Sequence, residues 1–435
     1  MIWHVLVRNG TVDNYNPELG SAPRINVGFQ RPDDEWVVGN NVFSVIQKQT
    51  GFYPNSTVND LLYLAMSVFA ADLRIPRKYS KDQWSRELKI HFPVVDLKIW
   101  SPILPLLSRT LSFLTGDKWE IELRSRNNHV DAVGKQKLKN VDSVCLFSGG
   151  LDSLVGAIDL LAEGRSVALV GHHGAGITNP IQERVLSSLM PKYKGKMFPF
   201  MFYIQPPKNN SEEGEPSMRS RSFLFFAMGV VVENVLGSNS PLVVAENGLI
   251  SLNVPLTGPR TGSRSTRTTH PYYVFLFWEL LKGLGISTSI VMPYRFHTKG
   301  EMLKGCKDQD LLASVAKLTM SCSHPEAGRF RGGSPNSHCG YCVPCIIRKA
   351  STKYSGIPDA TYTIAVETSP PFYKTNSGRD YRAFCIALER MKGMKSRNIK
   401  QKVLSSGPLP PADLPKYAKV FVNGMNEVSA LFRNV

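Results

Sequence analysis

Residues 143–153 read Ser-Val-Cys-Leu-Phe-Ser-Gly-Gly-Leu-Asp-Ser, a short apolar run that leads into a glycine turn. The first five of these residues are mostly apolar and β-prone, which predicts a buried parallel strand. Leu154, Ile158 and Leu161 then recur at helical spacing, so a helix is expected to begin near Asp152. The two glycines allow a sharp turn and a close approach to an anion, which the unpaired N–H groups of a helix N-terminus attract.

The motif Ser-Gly-Gly-x-Asp-Ser therefore predicts a cradle for the phosphates of a nucleotide. Ser148 and Ser153 can donate hydroxyl hydrogens, and Asp152 can hold a magnesium ion or its waters. The alternative is a tight strand-to-helix turn that has a serine or aspartate cap and no ligand. The predicted nucleotide-binding residues of the motif are Ser148, Gly149, Gly150, Leu151, Asp152 and Ser153.

The composition is that of a globular protein with anionic partners. The chain has 435 residues, 42% hydrophobic and 20% charged, and is long enough for about two or three domains. Its formal net charge of +17 favours anions, nucleic acid among them, although a general attraction for phosphate would produce the same balance. The N-terminus does not resemble a signal peptide, and the longest apolar run, 223–232, is too short to span a membrane. We therefore expect a cytoplasmic protein with no membrane partner.

Four of the seven cysteines lie close together in the sequence, in the pattern C-x2-C-x2-C with a fourth cysteine 17 positions upstream. Four thiolates that converge on one ion form a closed tetrahedral site, which is typical of structural zinc. An iron–sulfur cluster would use the same spacing, free thiols are a further alternative, and His324 or His338 could replace one cysteine. The predicted metal ligands are Cys322, Cys339, Cys342 and Cys345.

Composition and patterning divide the chain into four regions. Residues 1–125 predict an N-terminal α+β domain, in which Thr57 is the expected cap of a helix and no residue belongs to a catalytic pattern. Residues 126–140 are polar and basic and predict a linker. In residues 141–355 strands alternate with helices, which predicts a fold of the α/β class with a doubly wound parallel sheet. Residues 356–435 predict a mainly helical extension.

Apolar and alternating runs locate the expected strands of these regions. In a parallel sheet, ligands are expected at the carboxyl ends of the strands. Besides residues 143–147, the expected strands are 88–92, 119–123, 166–170, 197–204, 241–245 and 289–292.

Four segments resemble, in order and in residue type, those of the PP-loop ATP pyrophosphatases, and within them the 7-cyano-7-deazaguanine synthase (QueC) family. The segments are 148–153, 220–225, 298–302 and the cysteine region formed by 319–322 with 338–348. The resemblance covers residues about 140 to 355 and implies a PP-loop (HUP-like) fold. The extra N-terminal region is similar to that of QueC-like proteins from anti-phage defence systems.

The resemblance implies an ATP-dependent carbon–nitrogen ligase. A carboxylate of the 7-carboxy-7-deazaguanine type attacks the α-phosphate of ATP, pyrophosphate leaves, and an amine displaces AMP. Ammonia or a protein amine is the implied acceptor, the implied cofactors are ATP, Mg²⁺ and Zn²⁺, and proteins of a defence operon are the implied partners. The sequence has no Walker A motif, which argues against cleavage between the β- and γ-phosphates.

Three side chains outside the glycine motif complete the expected site. Arg221 matches an arginine of the family and is expected to hold a phosphate or the substrate carboxylate, unless it is solvated at a helix start. Lys299 and Glu301 lie at the start of a helix after the last strand and are expected, with Asp152, to be catalytic. For Glu301 the alternative is a favourable contact with the helix dipole.

Other positions depart from the family or leave two interpretations open. At 172–174 the chain has His-His-Gly where related enzymes have an aspartate turn near adenine, which leaves the adenine contacts undetermined. Residues 246–248 end a strand and predict either a ligand-facing position or a simple turn. Two basic loops, 257–269 with Arg260, Arg264 and Arg267, and 329–333, indicate a bulkier or more acidic partner than ammonia, or else solvated loops.

Two other functions are compatible with these features. A PP-loop enzyme that modifies tRNA would account for the +17 charge, although the Lys and Arg residues are dispersed along the chain. A non-catalytic nucleotide-binding subunit of a defence complex would keep the fold without turnover. The intact glycine motif and the four cysteines argue against the second alternative, because packing alone requires neither.

Overall fold

The computed structural model describes most of the chain. The described residues are 1–10, 13–29, 37–126, 140–174, 176–206, 214–215, 217–237, 240–257, 267–325, 337–369, 371, 374–375 and 377–432. The predicted linker, apart from its two end residues, lies outside these ranges, as do Arg260, Arg264 and the basic stretch 329–333. Within them, no helix combines the length and the apolar character needed to cross a membrane.

A four-stranded parallel sheet forms in the first 125 residues, in the order β2-β1-β4-β5. The predicted strands 88–92 and 119–123 are confirmed as parts of β4 and β5, whereas β1 and β2 have no counterpart in the prediction. The strands are β1 (Ile2–Asn9), β2 (Arg24–Phe29), β4 (Glu87–Val94) and β5 (Lys118–Ser125), with β3 (Gly39–Asn40) outside this sheet. The helices of this region are α1 (Val42–Thr50), α2 (Ser56–Arg74), α3 (Leu97–Trp100) and α4 (Leu104–Thr115).

The cap of α2 differs from the prediction. Asn55, not Thr57, precedes the helix in an extended conformation, and its side chain accepts a hydrogen bond from Val58 N at 2.9 Å. Thr57 lies within the first turn of the helix. Asparagine and threonine are both good caps, so composition alone does not decide between neighbouring positions.

A six-stranded sheet follows in the order β10-β9-β6-β7-β8-β3. Its first five strands are parallel, and β3 adds an antiparallel edge to β8 from the N-terminal part of the chain. The predicted strands are all present, although those at 241–245 and 289–292 are only two residues long. The strands are β6 (Ser143–Leu146), β7 (Val167–His173), β8 (Met197–Gln205), β9 (Leu242–Val243) and β10 (Ile290–Val291).

Helices cover both faces of the second sheet, so that the chain has a mixed α/β architecture. Successive residues of a strand point to opposite faces. Accordingly, Val144 and Leu146 pack with α7 and α9, whereas Cys145 packs with α5 and α6 on the other face. The helices are α5 (Leu151–Ala162), α6 (Thr178–Tyr193), α7 (Arg221–Leu236), α8 (Gly248–Leu252), α9 (Pro271–Gly283), α10 (Lys299–Lys304), α11 (Gln309–Val315) and α12 (Val343–Ser355).

The apolar core of the first sheet continues into that of the second. One cluster of buried side chains includes β1 and α2 of the first 125 residues together with β8 and α7 of the second sheet. Helices α2 and α7 pack along one another, which brings the N-terminal part of the chain directly against the helix that begins at Arg221.

Three helices lie in the described residues of the C-terminal part, with a turn at residues 405–413 before the last of them. One side of the last helix is buried at Tyr417, Phe421 and Val428. This helix packs against α12 and α8. The helices are α13 (Gly378–Met391), α14 (Ser396–Leu404) and α15 (Leu414–Phe432).

A buried histidine makes the stability of this fold depend on pH. The His270 ring caps α9, since Nδ1 accepts from Tyr272 N at 3.1 Å and Nε2 is 3.1 Å from Ser406 Oγ. Burial, and secondarily the charge of Arg267, lowers the pKa of His270 from 6.5 to about 3. The ring is therefore neutral in the folded state and takes up a proton on unfolding below pH 6.5. Its contribution to stability is complete above pH 6.5 and decreases as the pH falls towards 3.

We expect His270→Asn to reduce the pH dependence of the free energy of unfolding. When the pH falls from 7.5 to 5.5, the free energy of unfolding of the wild type should decrease by about 1.4 kcal/mol more than that of the variant. This difference corresponds to the uptake of one proton over one pH unit. Urea unfolding at the two pH values measures this difference. The exposed His297 serves as control, and the free energy of unfolding of His297→Asn should decrease by as much as that of the wild type. Equal losses for His270→Asn and wild type would contradict the prediction.

Candidate functional site

A cavity of about 390 Å³ lies where β6 and β9 end, at the carboxyl edge of the second sheet. It brings together residues that are far apart in the sequence. The predicted site residues in its wall are Ser148, Gly150, Leu151, Asp152, Ser153, Arg221 and Lys299. Gly149 and Glu301, also predicted, are not part of the wall. Phe225, Phe226 and Ile250 make part of the wall apolar.

The glycine motif forms the expected turn between β6 and α5. Gly149 has φ +82°, a conformation that favours glycine, and a Cβ there would make a tight contact of 3.1 Å with Gln182 Cγ. The N-cap of α5 is Gly150, which has no side chain to accept from the first amides of the helix. Ser153 Oγ donates to Gly150 O at 2.9 Å. The structure thus does not show the alternative turn with a serine or aspartate cap.

Asp152 and Lys299 form a buried ion pair in the cavity wall. Their side chains are 8% and 6% exposed, and Lys299 Nζ is 2.6 Å from Asp152 Oδ1. Asn247 donates to Asp152 Oδ2 through its side-chain amide at 2.6 Å and its backbone N at 3.1 Å. Burial opposes ionisation of Asp152, but the Lys299 ammonium together with hydrogen bonds from Glu246, Lys299 and Asn247 outweighs it and holds the pKa of Asp152 below its usual range. Asp152 therefore fixes the position of a cation at the cavity.

Glu246 adds a second carboxyl group beside Asp152. It lines the cavity and is partly buried. Burial, together with the charge of Asp152, raises the pKa of Glu246 well above its usual value. A protonated Glu246 can donate a hydrogen bond to Asp152. The sequence marked residues 246–248 as either ligand-facing or a turn, and both occur: Glu246 faces the cavity, while Asn247 caps α8 by accepting from Ile250 N at 3.1 Å.

Arg221 lies in the wall and is held by His172. Its Nε donates to His172 Nδ1 at 3.2 Å, and its Nη2 donates to His172 O at 3.2 Å. The alternative of a freely solvated arginine is therefore not observed. His172 itself is buried and lies behind this wall, so that in the described structure the 172–174 turn does not line the cavity.

Glu301 has a structural position instead of the predicted catalytic one. It forms a capping box with Thr298, because Thr298 N donates to Glu301 Oε2 at 2.8 Å and Glu301 N donates to Thr298 Oγ1 at 3.0 Å. Asn423 of α15 donates to its other oxygen at 2.7 Å. Both carboxylate oxygens are engaged in holding α10, outside the cavity wall, and we assign Glu301 no catalytic role.

Arg267 is the arginine of the predicted basic loops that the structure describes. Its guanidinium contacts Phe113 and not the cavity. Its Nη1 donates to Phe113 O at 3.0 Å, and its guanidinium lies 4.5 Å from the centre of the Phe113 ring. Arg267 thus attaches its segment to α4, while the following Thr268 and Thr269 line the cavity.

The four predicted cysteines converge in space and could bind a metal ion. Their sulfur atoms all lie within 4.8 Å of one another, with 4.0 Å between Cys322 and Cys342 and 3.9 Å between Cys339 and Cys345. A tetrahedral site with metal–sulfur bonds of about 2.3 Å has sulfur–sulfur distances of about 3.8 Å. Among the described residues, neither neighbouring histidine belongs to this group. His338 instead accepts a hydrogen bond from Ser321 N at 3.3 Å.

The cysteine site is directly connected to the cavity. Ser321 precedes Cys322, and its Oγ accepts a hydrogen bond from Leu151 N of the glycine motif at 3.5 Å. Next to it, Met320 N donates to Gly149 O at 3.0 Å. The fully buried Arg348 of α12 holds the same segment by donating to Thr319 Oγ1 at 2.8 Å. Met320, Ser321 and Pro344 are themselves wall residues. A metal ion here would therefore stabilise one side of the cavity.

The arrangement combines cationic side chains, the N-terminus of helix α5 and an apolar surface in one cavity. Such a site can bind an anion through Lys299, Arg221 and the N-terminus of α5, and a flat apolar group against Phe225. Comparison with known protein-family models gives no match for the chain, and a search of curated proteins also finds no match.

Proposed function

We propose that the chain binds ATP in this cavity and transfers AMP to a carboxylate, as the QueC-like PP-loop ATP pyrophosphatases do. The observation that carries the proposal is that the glycine motif, Arg221 and Lys299 line the same cavity although they come from three separate segments. A volume of about 390 Å³ is in the range of small-molecule sites. The four-cysteine site is proposed to hold zinc in a structural role.

The residues of the cavity have complementary tasks in this reaction. The backbone amides at the start of α5 bind phosphate oxygens, with Ser148 and Ser153 at the same turn. The amide of Leu151 exchanges its 3.5 Å contact with Ser321 Oγ for the phosphate. Pyrophosphate gains negative charge as it leaves, so Lys299, held in place by Asp152, and Arg221 stabilise the transition state. Because these groups are fixed before the substrate binds, little reorganisation is needed.

Asp152 and Glu246 would hold the magnesium ion. They are neighbouring carboxyl groups in the cavity wall, and carboxylate oxygens are ligands that Mg²⁺ prefers. The positive charge of the ion would favour the ionised form of Glu246, which burial and the charge of Asp152 disfavour. When bound, it supplies positive charge to the phosphate oxygens.

The carboxylate substrate is proposed to be a 7-carboxy-7-deazaguanine-type base, whose flat ring can pack against Phe225 and Phe226. An amine, either ammonia or a protein amine, then displaces AMP. The setting is proposed to be anti-phage defence.

AMP release tests the proposal. The full-length protein is incubated with ATP, Mg²⁺ and 7-carboxy-7-deazaguanine, with and without ammonia, and AMP is measured. We expect AMP formation that requires the carboxylate, and we expect Ser148→Ala to reduce it at least about tenfold, because a donor to the phosphates is lost. Ser187→Ala, an exposed position on α6, is the matched control and should retain full activity.

The other outcomes separate the alternatives. AMP release that requires tRNA would identify a tRNA-modifying enzyme and would overturn the choice of substrate. No AMP release with any substrate, from a protein that still binds ATP, would identify a non-catalytic subunit.

A further inference from the structure

We propose that helix α2 of the N-terminal region positions Arg221 at the cavity, with Asp72 and His172 as the positioning residues. The inference rests on the proposed role of the cavity as an anion site. It gives the N-terminal region a task in that site, although none of the described residues of this region lines the cavity.

The first contact fixes the start of α7. Asp72 is completely buried, and its Oδ2 accepts hydrogen bonds from Ser220 N at 2.8 Å and from Ser220 Oγ at 2.9 Å. Ser220 is the N-cap of α7, and Arg221 is the first residue of that helix. A displacement of Ser220 would therefore move the backbone of Arg221.

A buried charge cluster holds Asp72 itself. Its Oδ1 is 2.5 Å from Arg86 Nη2 and 3.3 Å from Arg77 Nη2, and both arginines also pair with the buried Asp117. Arg77 also pairs with Glu215 at 3.7 Å, so the cluster contains two cations and three carboxylates, which restrict one another's position. Oδ2 of Asp72 is thus presented to Ser220 in a fixed orientation.

The second contact fixes the Arg221 side chain. Because Arg221 Nε–H donates to His172 Nδ1, the ring hydrogen of His172 lies on Nε2, which donates to Ile204 O at 3.1 Å. Phe69 of α2 packs edge-on against the His172 ring, with 5.5 Å between ring centres. Phe69 is one helical turn before Asp72, so the same face of α2 makes both contacts.

The acceptor at Nδ1 persists at physiological pH. Burial, and then the nearby charge of Arg221, lowers the pKa of His172 to about 3, so the ring is neutral. The Nη1 group of Arg221 takes part in neither hydrogen bond to His172. A guanidinium whose other side is fixed loses little freedom when Nη1 binds an anion.

Two variants remove the contacts singly. Ser220→Ala deletes the hydroxyl that binds Asp72 and leaves the charge cluster intact. His172→Leu deletes the acceptor for Arg221, whereas His172→Asn offers an amide oxygen close to the Nδ1 position and should restore it. Ser67→Ala is the matched control, because Ser67 is a buried serine of α2 whose hydroxyl donates within its own helix to Tyr63 O.

The first readout is the Nε–H signal of Arg221 in ¹H–¹⁵N NMR spectra, assigned by its loss in Arg221→Lys. We expect hydrogen exchange at this group to be about fivefold faster in Ser220→Ala, where Ser220 N still donates to Asp72, and at least about tenfold faster in His172→Leu, where Arg221 Nε–H itself loses its acceptor. Exchange in Ser67→Ala and His172→Asn should stay close to that of the wild type. A merely structural role for these residues would lower thermal stability without this selective change.

The second readout is the affinity for inorganic pyrophosphate with Mg²⁺, measured by calorimetry on the full chain. The affinity should fall about fivefold in Ser220→Ala and at least about tenfold in His172→Leu. If the wild type does not bind pyrophosphate, the proposed function fails, while the exchange measurement still decides the positioning of Arg221. Unchanged hydrogen exchange at Arg221 Nε–H in folded Ser220→Ala would overturn the proposal. If His172→Leu does not fold, the result for Ser220→Ala alone decides.

Discussion

Replacement of Cys342 by alanine is expected to abolish metal binding and to unfold the cavity wall formed by Met320, Ser321 and Pro344. Three sulfur ligands cannot close a tetrahedral site, and a structural zinc ion contributes about 10–16 kcal/mol of apparent binding free energy to a small domain. The wall residues are linked to the site through Cys322 and through the first turn of α12. Loss of the metal should therefore also loosen the glycine motif, whose Gly149 O accepts from Met320 N.

Metal analysis and hydrogen exchange check this prediction. We expect about one zinc ion per wild-type chain and close to none in Cys342→Ala, with faster amide exchange at residues 148–153 and 319–322. Cys385→Ala is the matched control, since Cys385 is a free cysteine on α13 outside the metal group. Full metal content in Cys342→Ala would contradict the prediction. Iron in place of zinc would support the iron–sulfur alternative.

Lys299→Met is expected to have the largest effect on the proposed reaction. The variant removes a buried ammonium from the cavity wall, and removal of one preorganised charge costs about 10²- to 10³-fold in rate. It also leaves Asp152 as an unpaired buried carboxylate, which should lower the free energy of unfolding by about 3–5 kcal/mol. Loss of activity could thus follow from chemistry or from stability.

The double variant Lys299→Met/Asp152→Asn tests whether the loss of stability comes from the unpaired carboxylate. Asparagine removes the buried charge and retains an oxygen that can accept from Asn247, so the stability should return to within about 1 kcal/mol of the wild type. AMP formation should stay abolished, because the variant lacks both the Lys299 ammonium and the Asp152 carboxylate that is proposed to hold magnesium. Lys192→Met is the control, because Lys192 is 55% exposed in its pair with Asp308 and should change stability by less than about 1 kcal/mol. Activity in the double variant would show that Lys299 has no part in the reaction.

The parts of the site that could be predicted are those with local signals. A strand, a glycine turn and a helix start occupy consecutive residues at 143–153, and their structure agrees with the prediction. The cysteine spacing likewise predicts a group that converges in space. Each signal depends on neighbouring residues, whose relative geometry the backbone restricts strongly.

The errors concern contacts between distant segments. Glutamate is a common catalytic residue type, so the sequence predicted a catalytic role for Glu301. In the structure Asn423, 122 positions later, donates a hydrogen bond to one of its carboxylate oxygens. Strand β1 pairs with β4 about 85 positions away, so its register depends on partners that no local pattern identifies. The role of Glu246 also required the structure, because its raised pKa comes from burial beside Asp152.

The sequence by itself determined the glycine turn at residues 148–153, its place after a buried strand, and the four cysteines that can bind a metal. Only the tertiary structure decided which cations face that turn, what holds them, and that the N-terminal helix α2 supports Arg221. The reason is physical. A turn is set by steric limits within a few residues, whereas the position of a buried charge depends on partners that the folded core brings together from anywhere in the chain.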